Sequence, residues 1–324
     1  MTKASDSQPV FRTVAVIGIG LIGSSVALAA RACGAAERVR LCDLDPAARS
    51  EAAALELGEV CETVEAACRD ADLVVLCVPV GSLGAAARSC AAVMKPGAVL
   101  SDVGSVKANV LTEMCEAAPA SVHVVPAHPI AGTERSGPSA GFATLFRKRW
   151  CIITPRQDEA GQAEAYKAAV ERLRDFWERM GSMVEVMDAR RHDLVLSMTS
   201  HLPHLIAFNI VATAADMEQI TEGEVVKFSA GGFRDFTRIA ASDPTMWRDI
   251  FLYNKDAVLE TLGRFTEDLA VLQRAIRWSD GETLFNQFTR ARGIRRSVIE
   301  AGQDTDAPDF GRSAPPESGG DAGD

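Results

Sequence analysis

Val14-Ala-Val-Ile-Gly18-Ile-Gly20-Leu21-Ile22-Gly23 decides the fold class of this chain. The run has the GxGxxG spacing, follows a β-branched strand at Phe11–Ile17 and opens an Ala-rich helix over residues 22–32. Gly18 permits a tight turn and Gly20 lets the backbone approach a diphosphate. Gly23 lets helix and strand pack closely, and the helix N-terminus, with Leu21 and Ile22 in its first turn, stabilises the phosphate charge. Asp43 closes a second strand at 38–42, 20 residues past Gly23. A carboxylate there accepts both ribose hydroxyls and repels a 2′-phosphate, which selects NAD over NADP. The competing use of Asp43 is as a cap for the helix that begins near Pro46. Val78-Pro79, after a third strand at 73–78, belongs beside the same dinucleotide.

The pattern extends outward from this unit. Further strands are expected at 98–101, 123–126, 150–154 and 183–186, with helices at 46–57 and 161–180. Strands alternating with helices build a doubly wound α/β domain of the Rossmann type around a parallel sheet. After Asp188 the pattern becomes helical, over roughly 190–217, 222–241, 244–278 and 280–300. The expected organisation is an NAD-binding domain at 10–188, an all-α substrate and dimerisation domain at 189–300, and a disordered acidic tail at 301–324. The tail carries six acids against Arg312 and little that can be buried. Long amphipathic helices complete their core by association, so a homodimer is expected.

Composition narrows the class. The 324 residues are 47% hydrophobic and 24% charged, with a net charge of −10, which argues against nucleic acid as a partner. No stretch reaches the ~20 apolar residues of a membrane span, and residues 1–10 lack a signal-peptide layout. The expected location is cytoplasmic, without membrane attachment. The eight cysteines lie between Cys33 and Cys151 with no CxxC pair. Most sit in apolar or Ala-rich runs, and they read as reduced structural cysteines rather than disulfides or metal ligands.

Three segments carry chemistry. Asp102-Val-Gly-Ser105-Val-Lys107 ends the fourth strand, where open α/β sheets bind ligands. His128-Pro-Ile-Ala-Gly132-Thr133-Glu134-Arg-Ser-Gly137 is read as a loop after the fifth strand at the same edge. There Ser105 and His128 can meet over a nicotinamide, and a neutral imidazole can take the proton of a substrate alcohol as hydride leaves its carbon. The alternative for His128 is a turn histidine satisfied by backbone, and for Lys107 a solvated lysine starting the next helix. No GxSxG elbow surrounds Ser105, which argues against a serine hydrolase. In the helical half, Ser200-His201-Leu-Pro-His204 puts two imidazoles on one helix face. They either donate to an anionic substrate or serve the structure. Gly231-Gly-Phe-Arg234-Asp-Phe-Thr-Arg238 offers a guanidinium for a carboxylate, and Trp247 in Ser242-Asp-Pro-Thr-Met-Trp247 either walls the pocket or packs.

The set GIGLIG, DVGSVK, HPIAGTERSG, SHLPH, GGFRDFTRIA and SDPTMW, in this order from Phe11 to Glu300, resembles the prephenate/arogenate dehydrogenase family of tyrosine biosynthesis. The resemblance implies a Rossmann domain followed by a helical dimerisation domain, and oxidative decarboxylation of prephenate, L-arogenate or both with NAD. It implies that His128 accepts the proton of the C4 hydroxyl and that Ser105 orients the histidine and the hydroxyl beside the cofactor. It further implies that Arg238 binds the ring carboxylate, with His201, His204, Thr133, Glu134 and Trp247 around the anion pocket. The readings that compete with it are another two-domain Rossmann dehydrogenase for a small anionic hydroxy acid and a nucleotide-sensing regulator without turnover.

Overall fold

Strand β1 (Phe11–Ile17) is buried at every position except Arg12, so it needs a strand on each side and helices on both faces. The computed structural model describes residues 8–133, 135–218, 228 and 230–300, and supplies both. β2 (Ala36–Cys42) and β4 (Leu73–Leu76) pair with β1 in parallel, Val14 lying opposite Val39 and Leu73. With β3 (Glu59–Val60), β5 (Val99–Asp102) and β6 (His123–Val124) they form a six-stranded sheet in the order β3-β2-β1-β4-β5-β6. The period of two sorts the core. Val14, Val16, Leu73 and Val75 enter one hydrophobic cluster, and Ala15, Ile17, Val74 and Leu76 enter the other on the opposite face. Parallel pairing requires crossovers, supplied by α1 (Leu21–Ala32), α2 (Pro46–Ala54), α3 (Val64–Cys68), α4 (Leu83–Ala91) and α5 (Ala108–Ala117). The strand order reverses between β1 and β4, which opens a crevice at their carboxyl ends.

The chain departs from the expected single sheet at Pro126. Val125 still donates to Leu100, but proline has no N–H, so the ladder with β5 stops there. β7 (Ala127–Pro129) instead pairs antiparallel with β8 (Trp150–Ile153), which pairs in parallel with β9 (Met183–Val186). His128 therefore sits on an edge strand opposite Ile152, not in a loop, and the strands expected at 150–154 and 183–186 belong to a second, three-stranded sheet. α6 (Glu164–Arg179) bridges β8 and β9 and buries Leu173, Phe176 and Trp177 completely.

Beyond Asp188, whose carboxylate caps the next helix by accepting from Arg190 and Arg191, the chain is helical. α7 (Ala189–Leu196) runs through a π-helical turn at Ser197–His201 into α8 (Leu202–Glu218). α9 (Gly231–Thr237) ends in a tight turn at Arg238–Ala241, and α10 (Pro244–Tyr253) starts at the Asp243 cap. The helix expected over 244–278 is broken at Asn254, where α11 (Lys255–Arg277) begins. α12 (Gly281–Glu300) follows a turn with Ser279 at φ 56°. Residues 219–227 and the acidic tail expected at 301–324 lie outside the described residues. The chain divides into two compact units after Thr261. In the second, α12 exposes Phe285, Phe288 and Ile294. The run Ala189–Met217 is long and apolar enough to cross a membrane by length and composition, yet it buries His192, Asp193 and His201.

Phe176 packs edge-on against Phe11 at 5.8 Å and against Trp177 at 5.9 Å. Phe176→Ala is expected to destabilise the protein by about 3–5 kcal/mol in urea unfolding. A loss below about 1 kcal/mol would show that this face of the core can collapse around the cavity.

Candidate active site

The glycine loop shows why its residues are glycines. Gly18 has φ +97°, and a Cβ there would lie 2.5 Å from the Cys77 carbonyl oxygen; at Gly23 it would lie 2.0 Å from the Gly18 oxygen. At Gly20 a Cβ would meet nothing within 4 Å. Gly20 heads α1 with no side-chain cap and no acid in the first turn, so this helix end has N–H groups available in front of open space. Asp43 follows β2, and its Oδ2 accepts the Ile19 N–H at 2.7 Å. Its Oδ1 accepts from Asp45 N–H, but the cap of α2 is Asp45, which accepts from Ala47. Asp43 is therefore not the cap of α2. Val78 borders Gly18 from the end of β4, with exposed Pro79 next. Turn, opening, helix end and carboxylate fit a dinucleotide.

One strand further along, the chemistry begins with a buried ion pair. Lys107 is fully buried, and its Nζ donates to Asp102 Oδ2 and, at 2.9 Å, to the Ala127 carbonyl. The solvated lysine weighed from the sequence is not what forms. Burial pushes the Asp102 carboxyl up and the Lys107 amine down, and their mutual attraction opposes both shifts. The lysine ties the end of β5 to the start of β7, beside His128.

His128 is 9% exposed, and its Nδ1 lies 2.8 Å from Nε2 of His192. The hydrogen bond expected with Ser105 is absent among the described residues; Ser105, half-buried, lies with its backbone beside His201. His192 Nδ1 is 2.8 Å from Asp193 Oδ1. Asp193 also accepts the N–H groups of Lys107 and Ala108 at 2.8 Å each, so it closes the N-terminus of α5. Burial pushes His128 well below the ordinary histidine range, with Lys107 adding to the effect. His192 is lowered by burial too, in spite of its bond to Asp193.

The helical residues gather around a second histidine pair. His201 is buried, 3.0 Å from Asn254 Nδ2, which also donates to the Asp193 carbonyl at 2.9 Å. Burial pushes His201 down to about 4. His204 stacks on Trp247 at 3.7 Å and donates from Nδ1 to the Ser200 carbonyl. Burial also lowers His204, and the charge of Arg238 lowers it further. A neutral His204 therefore presents a lone pair at Nε2 and gives an anion no donor. Trp247 is buried between His204 and Phe251, so it packs as well as bordering the histidines. Thr133 is exposed, its hydroxyl accepting from Arg135 N–H, and Glu134 lies outside the described residues.

His192, Asp193 and Asn254 lie outside the motifs that the sequence offers as candidates. A signal existed for the first two. Ala189, His192, Asp193 and Leu196 form the buried stripe of α7 at i, i+3, i+4 and i+7, so two polar residues occupy apolar positions. Nothing local marked Asn254.

Residues 26–186 match the family model described as the prephenate dehydrogenase nucleotide-binding domain, and residues 188–290 match its dimerization domain. The chain belongs to the prephenate dehydrogenase family. It is 42% identical over 290 residues to the cyclohexadienyl dehydrogenase of Zymomonas mobilis, covering 89% of this chain and 97% of that protein. It is 32% identical over 287 residues to the prephenate dehydrogenase of Bacillus subtilis, covering 87% and 75% of the two chains. A crystal structure of prephenate dehydrogenase from A. aeolicus, in complex with hydroxyphenyl propionate and NAD+, superposes with a TM-score of 0.82 at 32% identity. It covers 91% of this chain and 99% of that one.

Lys107→Met leaves Asp102 unpaired and is expected to cost about 3–5 kcal/mol in urea unfolding, most of it recovered in the double variant with Asp102→Leu. A double variant no more stable than Lys107→Met would contradict the pairing argument. All five histidines are held below their ordinary value. The unfolded chain therefore binds more protons than the folded one below pH 6.5 and down to about 4 for His201. Stability falls as pH drops through that window. The urea midpoint should decline steadily on acidification, and a flat profile would mean that the histidines are not held neutral.

Proposed function

We propose that this chain is an NAD-dependent dehydrogenase that oxidises and decarboxylates prephenate, L-arogenate or both, giving 4-hydroxyphenylpyruvate or L-tyrosine. The observation that carries the reading is His128: a buried imidazole on β7, next to the residue that Lys107 ties to the carboxyl end of β5, and held neutral as a general base for an alcohol requires. Gly18, Gly20, Leu21, Ile22 and Gly23 hold the diphosphate against the α1 N-terminus, Asp43 holds the ribose, and Val78, Pro79 and Ser105 border the cofactor. Asp43 disfavours a 2′-phosphate, so NAD is preferred to NADP. Bound NAD supplies the acceptor for the hydride that leaves ring carbon C4.

The protein's residues do the rest. His128 takes the hydroxyl proton as C4 becomes a carbonyl, with the Ser105 hydroxyl oriented to the same oxygen. The bond from the ring to its carboxylate then breaks, CO2 leaves, and the electron pair passes through the ring to the C4 oxygen, which can recover its proton from His128. Aromatisation drives this step. Arg238 binds the ring carboxylate, but a tight grip through the transition state would oppose CO2 loss, so its task is orientation. His201, His204, Thr133, Glu134 and Trp247 shape the pocket.

The chain is read as a cytoplasmic homodimer with neither nucleic acid nor membrane as partner. In this reading residues 10–188 form the cofactor domain and 189–300 the substrate and dimerisation domain. The apolar outer face of Ala189–Met217 is then covered by the second copy.

The test is nicotinamide reduction by the purified protein with prephenate or L-arogenate and NAD+ or NADP+. Turnover with NAD+ and at least one of the two substrates is expected. His128→Asn should lower kcat by ~10²–10⁴-fold with KM little changed. Arg238→Ala should mainly raise KM, by about 10-fold or more. The reverse pattern would sink the assignments, and NAD+ binding without turnover of either substrate would sink the reaction.

A further inference from the structure

We propose that His192 and Asp193 are positioning residues that fix the tautomer of His128, with its proton on Nδ1 and its lone pair on Nε2. The proposal rests on His128 being the base, and the hydrogen bonds dictate the direction of the relay. Asp193 is an acceptor at both oxygens: Oδ1 receives Lys107 N–H and Oδ2 receives Ala108 N–H. His192 Nδ1, 2.8 Å from Oδ1, must therefore be the donor in that contact. A neutral imidazole has one N–H, so His192 Nε2 carries a lone pair and faces His128 Nδ1 at 2.8 Å. His128 Nδ1 is then the donor. Its own lone pair is left on Nε2, the nitrogen not engaged by His192, where a base must have it.

The arrangement is built rather than incidental. Neighbouring residues on a helix do not normally face each other, yet the Asp193 carboxylate reaches back to the ring of His192. It is held there from two directions, by the first N–H groups of α5 on its side chain and by Asn254 Nδ2 on its carbonyl. The relay also answers an electrostatic problem. Once His128 has taken a proton, it is a buried cation facing the Lys107 ammonium and the neutral rings of His192 and His201. Asp102 is already paired with Lys107, so Asp193, acting through His192, is the remaining negative charge of this cluster that can offset it. No proton need travel the length of the relay; polarisation of His192 suffices.

Two substitutions separate positioning from packing. His192→Leu removes the acceptor and keeps apolar bulk, while His192→Gln can place an amide oxygen near the lost Nε2. His192→Leu is expected to lower kcat by ~100-fold with KM near wild type and a modest fall in thermal midpoint, since a buried ring nitrogen of His128 loses its partner. His192→Gln should recover about 10-fold of that loss, with the acid limb of kcat/KM displaced to lower pH because the link to Asp193 is gone. Equal losses in both variants, or kcat for His192→Leu within about twofold of wild type, would overturn the relay. A readout independent of turnover uses the small number of histidines, five in the chain. In ¹⁵N-histidine-labelled protein assigned by single substitutions, His128 and His192 should both be Nδ1–H tautomers, and His128 should lose that preference in His192→Leu. Wild-type His128 found as Nε2–H overturns the relay even in an active enzyme. Nδ1–H in a protein that turns over neither substrate keeps the relay and removes only the proposed reaction.

Discussion

Lys107 joins three segments that are remote in the chain. Its ammonium bonds Asp102 at the end of β5 and the Ala127 carbonyl at the start of β7, and its backbone N–H bonds Asp193 on α7. Burying an ammonium and a carboxylate costs several kcal/mol per ion, and the arrangement is tolerable only when both are paired and well hydrogen-bonded. The pair therefore tolerates little displacement of either sheet or of α7. The site inherits that rigidity. His128 lies one residue from the Lys107 acceptor, and His192 lies one residue from Asp193.

A second consequence of burial is that the centre works with neutral rings. Desolvation disfavours the imidazolium at His128, His192 and His201, and the nearby ammonium disfavours it further at His128 and His192. The same environment that keeps a base unprotonated makes its protonated form expensive. The Asp193 carboxylate is linked to His128 through His192, which bonds it at Nδ1 while Nε2 faces His128. Stability and chemistry thus draw on the same desolvation.

The dinucleotide half follows from local sequence because its requirements are local. Gly18, Gly20 and Gly23 are read within one turn of chain, and the structure returns each with the expected reason: a positive φ, an open approach and a close contact. Asp43 was legible from its spacing alone. The parallel sheet was legible from alternating strands and helices, but β3, two residues long, and the order β3-β2-β1-β4-β5-β6 were not, because a strand that short carries no period and the order is set by packing. The break at Pro126 was written in the sequence, since a proline cannot continue a ladder. Its outcome was not, because a strand as short as Ala127–Pro129 has no period to read and exists through its pairing with Cys151–Ile153.

The sequence by itself determined the glycine turn, the strand–helix alternation, the helical second half and the residue types available for chemistry. These depend on periodicity, backbone freedom and charge over short spans. Tertiary structure decided which groups meet. His128 bonds His192, 64 residues away, and not Ser105; Lys107 turns inward to Ala127 instead of outward to water; Asn254 interrupts a helix to bridge Asp193 and His201. Buried polar groups must find partners wherever the packed chain brings them, and the free energy of each pairing depends on the burial of both members. That burial is a property of the assembled sheets and helices, and sequence spacing does not encode it.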